Sequence, residues 1–306
     1  MHNSTTFFDR SRRTFVATLT KALGATLFLP APLLSIAGAS GARKTWAVGE
    51  IMDLFVKSVP GAPLENTVDT LKAGSRDQQV TGVVTTMFAT MEVIQKAIAA
   101  GANFIIAHEP TFYNHADVTD WLQQDAVYQA KMGLLQQHNI AVWRNHDYIH
   151  RHQPDGILKG VVDRLGWQKY QDPQVPGRFT VPSITLEAFI QQAKKALGIS
   201  MVRYIGELSQ TCSKVLLMPG AYGGRNHIEA IRREAPEVAV VGEIQEWETA
   251  EYVRDARAQG KRLSLVVLGH TDSEEPGAAF MAQWLKEHVP GVKVTHIPSG
   301  NPLRFA

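Results

Sequence analysis

An α/β protein built as two similar halves with mixed sheets is the fold that the sequence predicts, and three observations point to it. Short apolar runs recur along the chain, bounded by glycine or proline and too short for helices, as buried strands of such sheets are. Between them lie segments whose apolar residues repeat at helical spacing, often with Thr or Asp at the start and glycine past the end. Residues 81–109 and 238–274 also share one order of strand, helix, strand, histidine and carboxylate, a likeness of architecture rather than a sequence repeat.

The region from Arg43 to Lys57 is mixed, with a helix expected around Ile51 to Val56. Thr81 to Met87 is β-branched and apolar and reads as a strand. Thr90 then suits the N-cap of a helix over Met91 to Ala100, where Val93, Ile94, Ala97 and Ile98 share a face and Gly101 follows the end. The run 103–107 is the next strand, completing a β-α-β unit. A long helix is expected over Thr119 to Gln137, leading to a strand at Ile140 to Trp143; Asp155 to Leu165 reads as a short helix ended by Gly166. The proline-rich, polar stretch from Asp172 to Pro182 is expected to connect two halves, roughly 40–172 and 183–306.

In the second half, Thr185 caps a helix from Leu186 to Leu197 that Gly198 ends. Val202 to Ile205, Val215 to Met218, Val238 to Val241 and Leu263 to Leu268 read as strands, with helices from about Asn226 to Glu234 and from Thr249 to Gln259. The turn from Pro219 to Gly224 has the layout of a phosphate-cradling loop. It lacks the full P-loop and dinucleotide patterns, which favours a plain glycine turn.

Three strands end on histidine. Ala107 is followed by His108-Glu109-Pro110, Trp143 by Arg144-Asn145-His146-Asp147-Tyr148-Ile149-His150, and Leu268 by Gly269-His270-Thr271-Asp272-Ser273-Glu274. Ligands of α/β sheets lie off the carboxyl ends of strands, and imidazole with carboxylate is a divalent-metal donor set. A lone histidine at a strand end is more often hydrogen-bonded structure, but recurrence at three ends points to one shared metal site.

The first 39 residues read differently. Ser11-Arg12-Arg13-Thr14-Phe15-Val16 is a twin-arginine pattern, followed by a moderately apolar stretch from Ala17 to Leu29 and small residues at Ala37-Gly38-Ala39. Lys21 interrupts the apolar stretch, leaving it short of the ~20 residues of a membrane span. The expectation is a 1–39 export signal to the periplasm or outside, with no stable membrane span once it is removed. Arg10, Arg12, Arg13 and Lys21 against Asp9 turn the remainder of a chain of formal charge +2 into a slightly acidic one. That removes the electrostatic case for nucleic acid, which needs clustered Lys and Arg. Cys212 is the only cysteine, so no intramolecular disulfide can form.

From about Val80 onward the chain resembles the Nif-three-like dinuclear metal-centre family, whose members often carry the label type-2 GTP cyclohydrolase I. The resemblance rests on Gly101 to Pro110, on Val142 to His150, on Gly269 to Glu274, and on Gly300-Asn301-Pro302, in that order, with the glycine turn at Gly220 to Gly224 and Gly242-Glu243 also fitting. It implies two divalent ions (Zn, Fe, Mn or Ni) between the halves, held by His108, Glu109, His150, His270 and Glu274, and a homo-oligomer, the family form being a toroidal hexamer. Glu109 stands where the family has a second histidine and His150 where it has an aspartate, which keeps the number of imidazoles and carboxylates. The early Asp-Asn-Val-Gly segment of the family has no clear counterpart near Val68-Asp69-Thr70.

The implied activity is hydrolysis of a small molecule, with His146 as general base or as a residue orienting a ligand, and with Glu243 approaching the site. Both side chains would serve equally well as ordinary surface groups. A non-catalytic metal-binding or partner-binding scaffold is the competing reading, favoured by a site closed by protein ligands.

Overall fold

A computed structural model describes residues 44–304, and the expected export signal lies outside the described residues. Two five-stranded mixed sheets organise it. The chain enters through α1 (Val48–Lys57), longer than the expected helix; at its start the Glu50 carboxylate accepts from the Ala47 N–H at 2.8 Å and satisfies that donor. It continues through β1 (Leu71–Ala73), β2 (Val83–Thr86), α2 (Met91–Ala99), β3 (Phe104–Ala107), α3 (Ala126–Gln137), β4 (Ala141–Arg144), α4 (Asp147–Arg151) and α5 (Gly156–Leu165). Then follow β5 (Arg178–Thr185), α6 (Leu186–Leu197), β6 (Arg203–Ile205), β7 (Thr211–Met218), α7 (Gly224–Glu234), β8 (Val238–Val241), α8 (Glu251–Ala258), β9 (Ser264–Val267), α9 (His270–His288) and β10 (Val294–His296).

The first sheet has the order β1-β4-β3-β2-β10, with β4, β3, β2 and β10 parallel and β1 antiparallel at the edge. The second has the order β5-β7-β8-β9-β6, a parallel centre with antiparallel strands on both edges. All four residues of β2, β3, β4, β8 and β9 are buried, as expected of strands covered on both faces. One core packs α1 and α9 on the first sheet, and another packs α2 and α3 on its opposite face. Around the second sheet, α5 and α6 cover one face and α7 and α8 the other.

Three expectations are corrected. Asp172 to Pro182 is not simply a connection: residues from Arg178 onward form edge strand β5, and Pro182 is tolerated where the register with β7 shifts between Thr180 and Ile184. The long helix over Thr119 to Gln137 is two pieces, a 3-10 turn at Asp120–Leu122 and α3, because the Asp125 carboxylate accepts from the Tyr128 N–H at 2.9 Å and starts a new helix. The helix expected to start at Thr249 begins earlier, as a π turn over Glu246–Ala250 that leads into α8.

The chain-terminal strand β10 returns to the first sheet beside β2, so the two sheets are not separated by a single cut of the sequence. Helix α9 makes this return, leaving the end of β9 in one sheet and leading to β10 in the other. It crosses α5 closely: a Cβ on Gly160 would fall 2.3 Å from the Pro276 carbonyl oxygen, so only glycine admits this crossing.

Candidate metal centre

The carboxyl ends of β3, β4 and β9 converge, and with them the histidines that follow. The β3 ladder runs on by two bonds, His108 N–H to Thr86 O and Glu109 N–H to Met87 O, which holds both side chains at the sheet rim. His146 is the N-cap of α4 and His150 lies one turn further along it, so that both project from one short helix. That helix is anchored by Asp69, whose two carboxylate oxygens accept from the N–H groups of His146 and Tyr148 at 2.8 Å each. Asp69 therefore has a clear role here, capping the element that carries two of the histidines.

Four imidazoles share one orientation. His108 Nδ1 lies 3.3 Å from Asn145 O, His146 Nδ1 2.9 Å from Asp147, His150 Nδ1 3.1 Å from Asp155 and His270 Nδ1 3.1 Å from Glu243. Carbonyl and carboxylate oxygens only accept, so each Nδ1 is the donor and each Nε2 is turned toward the others. His108, His146 and His150 offer atoms lying within 4.8 Å of one another, and so do His108, Glu109 and Glu274. His270 Nε2 is 3.0 Å from Glu274 and 3.3 Å from Glu109. The structure thus brings together His108, Glu109, His150, His270 and Glu274, and it adds His146 to the same cluster. Glu243 stands on the outer nitrogen of His270 with its side chain 48% exposed, the place of an orienting carboxylate.

The second sheet makes room for this. A Cβ on Gly220, whose φ is +77°, would lie 2.1 Å from Glu274 Oε1, and the Gly220 N–H donates to Ser273 Oγ at 2.9 Å. The glycine turn is therefore a seat for the first turns of α9. On the other side, fully buried Arg144 donates to Glu109 Oε2 at 3.2 Å and to the carbonyl of His115, fixing the carboxylate from behind.

The electrostatics suit cations. Burial opposes ionisation of Glu109 and Glu274, but His270, His108 and, for Glu109, His146 hold both below the usual carboxylate range. Burial likewise disfavours charge on His270, yet Glu109 and Glu274 raise it to about 10. His150 is raised by Asp155 and the two glutamates against the effect of burial. His146 is lowered to about 4 by burial and by His108, which leaves its Nε2 lone pair available. One buried atom is telling: His108 Nε2 has no hydrogen-bond partner, and its nearest carboxylate oxygen, on Glu274, is 3.5 Å away. An unpaired, buried, inward nitrogen among imidazoles and carboxylates fits a bound metal ion. The cluster opens on a cleft of about 1890 Å³ lined also by Tyr113, His115, Lys131 and Asn301.

Sequence reasoning missed Asp69, Arg144 and the bond of Asp155 to His150. Only Asp155 left a trace, as the start of a short helix, and its N-cap bonds to Ile157 and Leu158 bear that out.

Comparisons with known proteins agree with this architecture. The family described as Duf34/NIF3 (NGG1p interacting factor 3) matches residues 49–302. Relatives named GTP cyclohydrolase 1 type 2 homolog include one from Clostridium acetobutylicum, 23% identical over 252 residues, covering 77% of this chain and 89% of that protein. Another, from Chlamydia trachomatis, is 23% identical over 226 residues, covering 71% and 83%. Among solved structures, a Bacillus cereus protein related to NIF3 superposes with a TM-score of 0.68 at 17% identity, covering 86% of this chain and 100% of that one. A Staphylococcus aureus hypothetical protein gives 0.67 at 21%, with the same coverage.

Proposed function

The chain belongs to the Duf34/NIF3 family, and from that premise we propose that it is an exported metal-dependent hydrolase of a small molecule. The observation that carries the reading is the common inward turn of four Nε2 atoms onto two buried glutamates at the floor of an open cleft. In this reading His108, Glu109, His150, His270 and Glu274 hold two divalent ions, and His146 joins them as a ligand rather than acting as the base. Such ions would polarise the scissile group and make a nucleophile from water at neutral pH. Asp147, Asp155 and Glu243 keep the rings in the Nδ1–H form and aim them, while Arg144 holds Glu109. The cleft exceeds the ~300–1,000 Å³ that encloses a small ligand, so the cluster is open to substrate; this favours an enzyme over a closed scaffold site.

The relatives are named as homologs of a cyclohydrolase, which supports a hydrolytic reaction class. Export through the Arg12-Arg13 signal would set GTP aside as the natural substrate, since nucleoside triphosphates are scarce outside the cytoplasm. Among the described residues no helix is long and apolar enough to cross a membrane. A homo-oligomer, a hexamer in the family form, belongs to the same proposal, and elution of the mature protein at monomer mass would sink that part.

Elemental analysis of the purified mature protein, followed by phosphoester, amide and cyclic-amidine substrates, tests the reading. Two ions per chain with turnover that chelation abolishes is the expected result. A metal-loaded protein inert toward every class would favour the scaffold, and a metal-free one would end both. Arg12→Lys with Arg13→Lys should hold the protein in the cytoplasm; unchanged delivery would show the motif to be incidental.

A further inference from the structure

Beside the histidine cluster the same cleft is lined by a buried cation that the metal site does not use. Lys131 of α3 is only 5% exposed, and its Nζ donates to the Thr111 carbonyl at 2.6 Å. An ammonium carries three donors. Among the described residues no carboxylate lies within 4.0 Å of it, and its other neighbours include the rings of Phe112 and Tyr113, whose centroids are 5.7 and 5.3 Å away. Burial lowers its pKa to about 8, with Asp117 opposing, so at neutral pH it is still mostly charged. The other cations on the cleft wall are exposed: Arg203 pairs with Glu246, Arg233 pairs with Glu234, and Arg304 faces solvent. Asp117 lies beyond ion-pair distance of Lys131 and is taken up by Lys72 and Arg144, and a buried charge so weakly countered is costly and persists where something else meets it.

The surrounding loop is built to present this group. Thr111, two residues beyond Glu109, has a buried hydroxyl with no hydrogen-bond partner. Tyr113 has a φ of +63°, a conformation unfavourable for so bulky a residue, yet its ring is 53% exposed on the cleft. The Asn114 amide donates to the carbonyls of Phe112 and Val118, and Asp117 accepts from the Phe112 N–H at 2.7 Å, so the loop is pinned on both sides of the tyrosine. Ammonium, free hydroxyl and exposed aromatic ring line one cleft together with Glu109 and His146.

We propose that Lys131, with Thr111 and Tyr113, forms a subsite for an anionic oxygen group, a carboxylate or a phosphate, on a flat small molecule occupying the cleft. The group meets the unmatched ammonium and the Thr111 hydroxyl, and the flat part lies against Tyr113. Calling this molecule the substrate rests on the hydrolase reading; the binding itself does not.

The test uses benzoate and phenyl phosphate as probes and benzyl alcohol as the neutral control. In the full wild-type protein, acylation by acetic anhydride is followed lysine by lysine with mass spectrometry. Either anion should slow acylation of Lys131 by roughly tenfold relative to the exposed lysines, as a charge-assisted hydrogen bond would, and benzyl alcohol should not. The anion that protects distinguishes carboxylate from phosphate. Lys131→Met should weaken binding of that anion by about 10–100-fold while Lys131→Arg keeps most of it, with metal content unchanged in both. Anions that bind without protecting Lys131, or that bind Lys131→Met as tightly as wild type, would overturn the subsite. So would the absence of any anion binding. If Lys131→Met does not fold, protection in the wild-type protein decides. Failure of the hydrolase reading would show as absence of turnover, which this labelling does not measure.

Discussion

The two sheets meet the cleft with opposite contributions. The ends of β3 and β4 in the first sheet deliver side chains, His108, Glu109, Arg144 and His146, whereas the ends of β7 and β8 in the second deliver Gly220 and Gly242, which carry none. The donors on the second side come from α9, and those glycines leave the space it occupies: a Cβ on Gly242 would fall 2.4 Å from Ser273 Oγ. Two five-stranded mixed sheets thus contribute differently, and the glycines of one make the room that the cluster built on the other requires.

The most damaging way to sharpen this contrast is Gly220→Val. The new side chain would stand where the Glu274 carboxylate lies and would also adopt a φ of +77°. Metal content should fall to background and the melting temperature should drop by several degrees, since overpacking costs about 1–3 kcal/mol; full occupancy by elemental analysis would break the comparison. Asp155→Asn acts on the first side without touching the cluster floor. Loss of the carboxylate behind His150 should weaken metal affinity by about 10–100-fold, and Glu243→Gln, behind His270 but half exposed, should weaken it less. Competition with a chelating dye would measure both, and equal losses would show the two sides to be alike. Asp69→Ala should cost about 1–2 kcal/mol in urea unfolding by uncapping α4.

The mildest test changes no residue. In metal-free protein the pKa of His270 is raised to about 10 from the ordinary 6.5, so its contribution to stability is full below about 6.5 and is lost as pH rises toward 10. Glu274 is shifted down, so its contribution is present above the ordinary value of 4.5 and lost in acid. Thermal unfolding of the chelated protein should therefore decline from neutral pH to about 10, and metal, which takes the place of the His270 proton, should flatten that decline. An identical decline with and without metal would show that His270 is not involved.

What could be read from the sequence followed local chemistry. Strand β3 and its His108-Glu109 end were legible because Gly101 and Pro110 bracket an apolar run, and α2 because Thr90 is a cap, confirmed by its bond from the Val93 N–H. Strand β1 was not: its three residues are half-buried and show no alternation. Helix α9 was hidden because Pro276 and Gly277 interrupt it and because it is buried against both α5 and the first sheet, which blurs a one-sided apolar pattern. Arg144 reads as an ordinary strand-end arginine until the fold sets it behind Glu109, and the link between Asp155 and His150 likewise depends on how α4 and α5 meet. The histidines and glutamates were visible because they follow strands; of the residues that aim or brace them, Asp147 and Asp155 are near in sequence, whereas Asp69, Arg144 and Glu243 act across 27 residues or more.

The route of α9 also bears on the order of events as the chain is made. His270 and Glu274 emerge late, and β10, which pairs with β2 from far earlier in the sequence, emerges later still. A nascent chain bearing only His108, Glu109, His146 and His150 has part of the histidine and glutamate cluster and an unfinished first sheet. The cluster can therefore be completed only after β9 has been made, and a fragment truncated before α9 would lack His270, Glu274 and the helix that carries the chain back to β10.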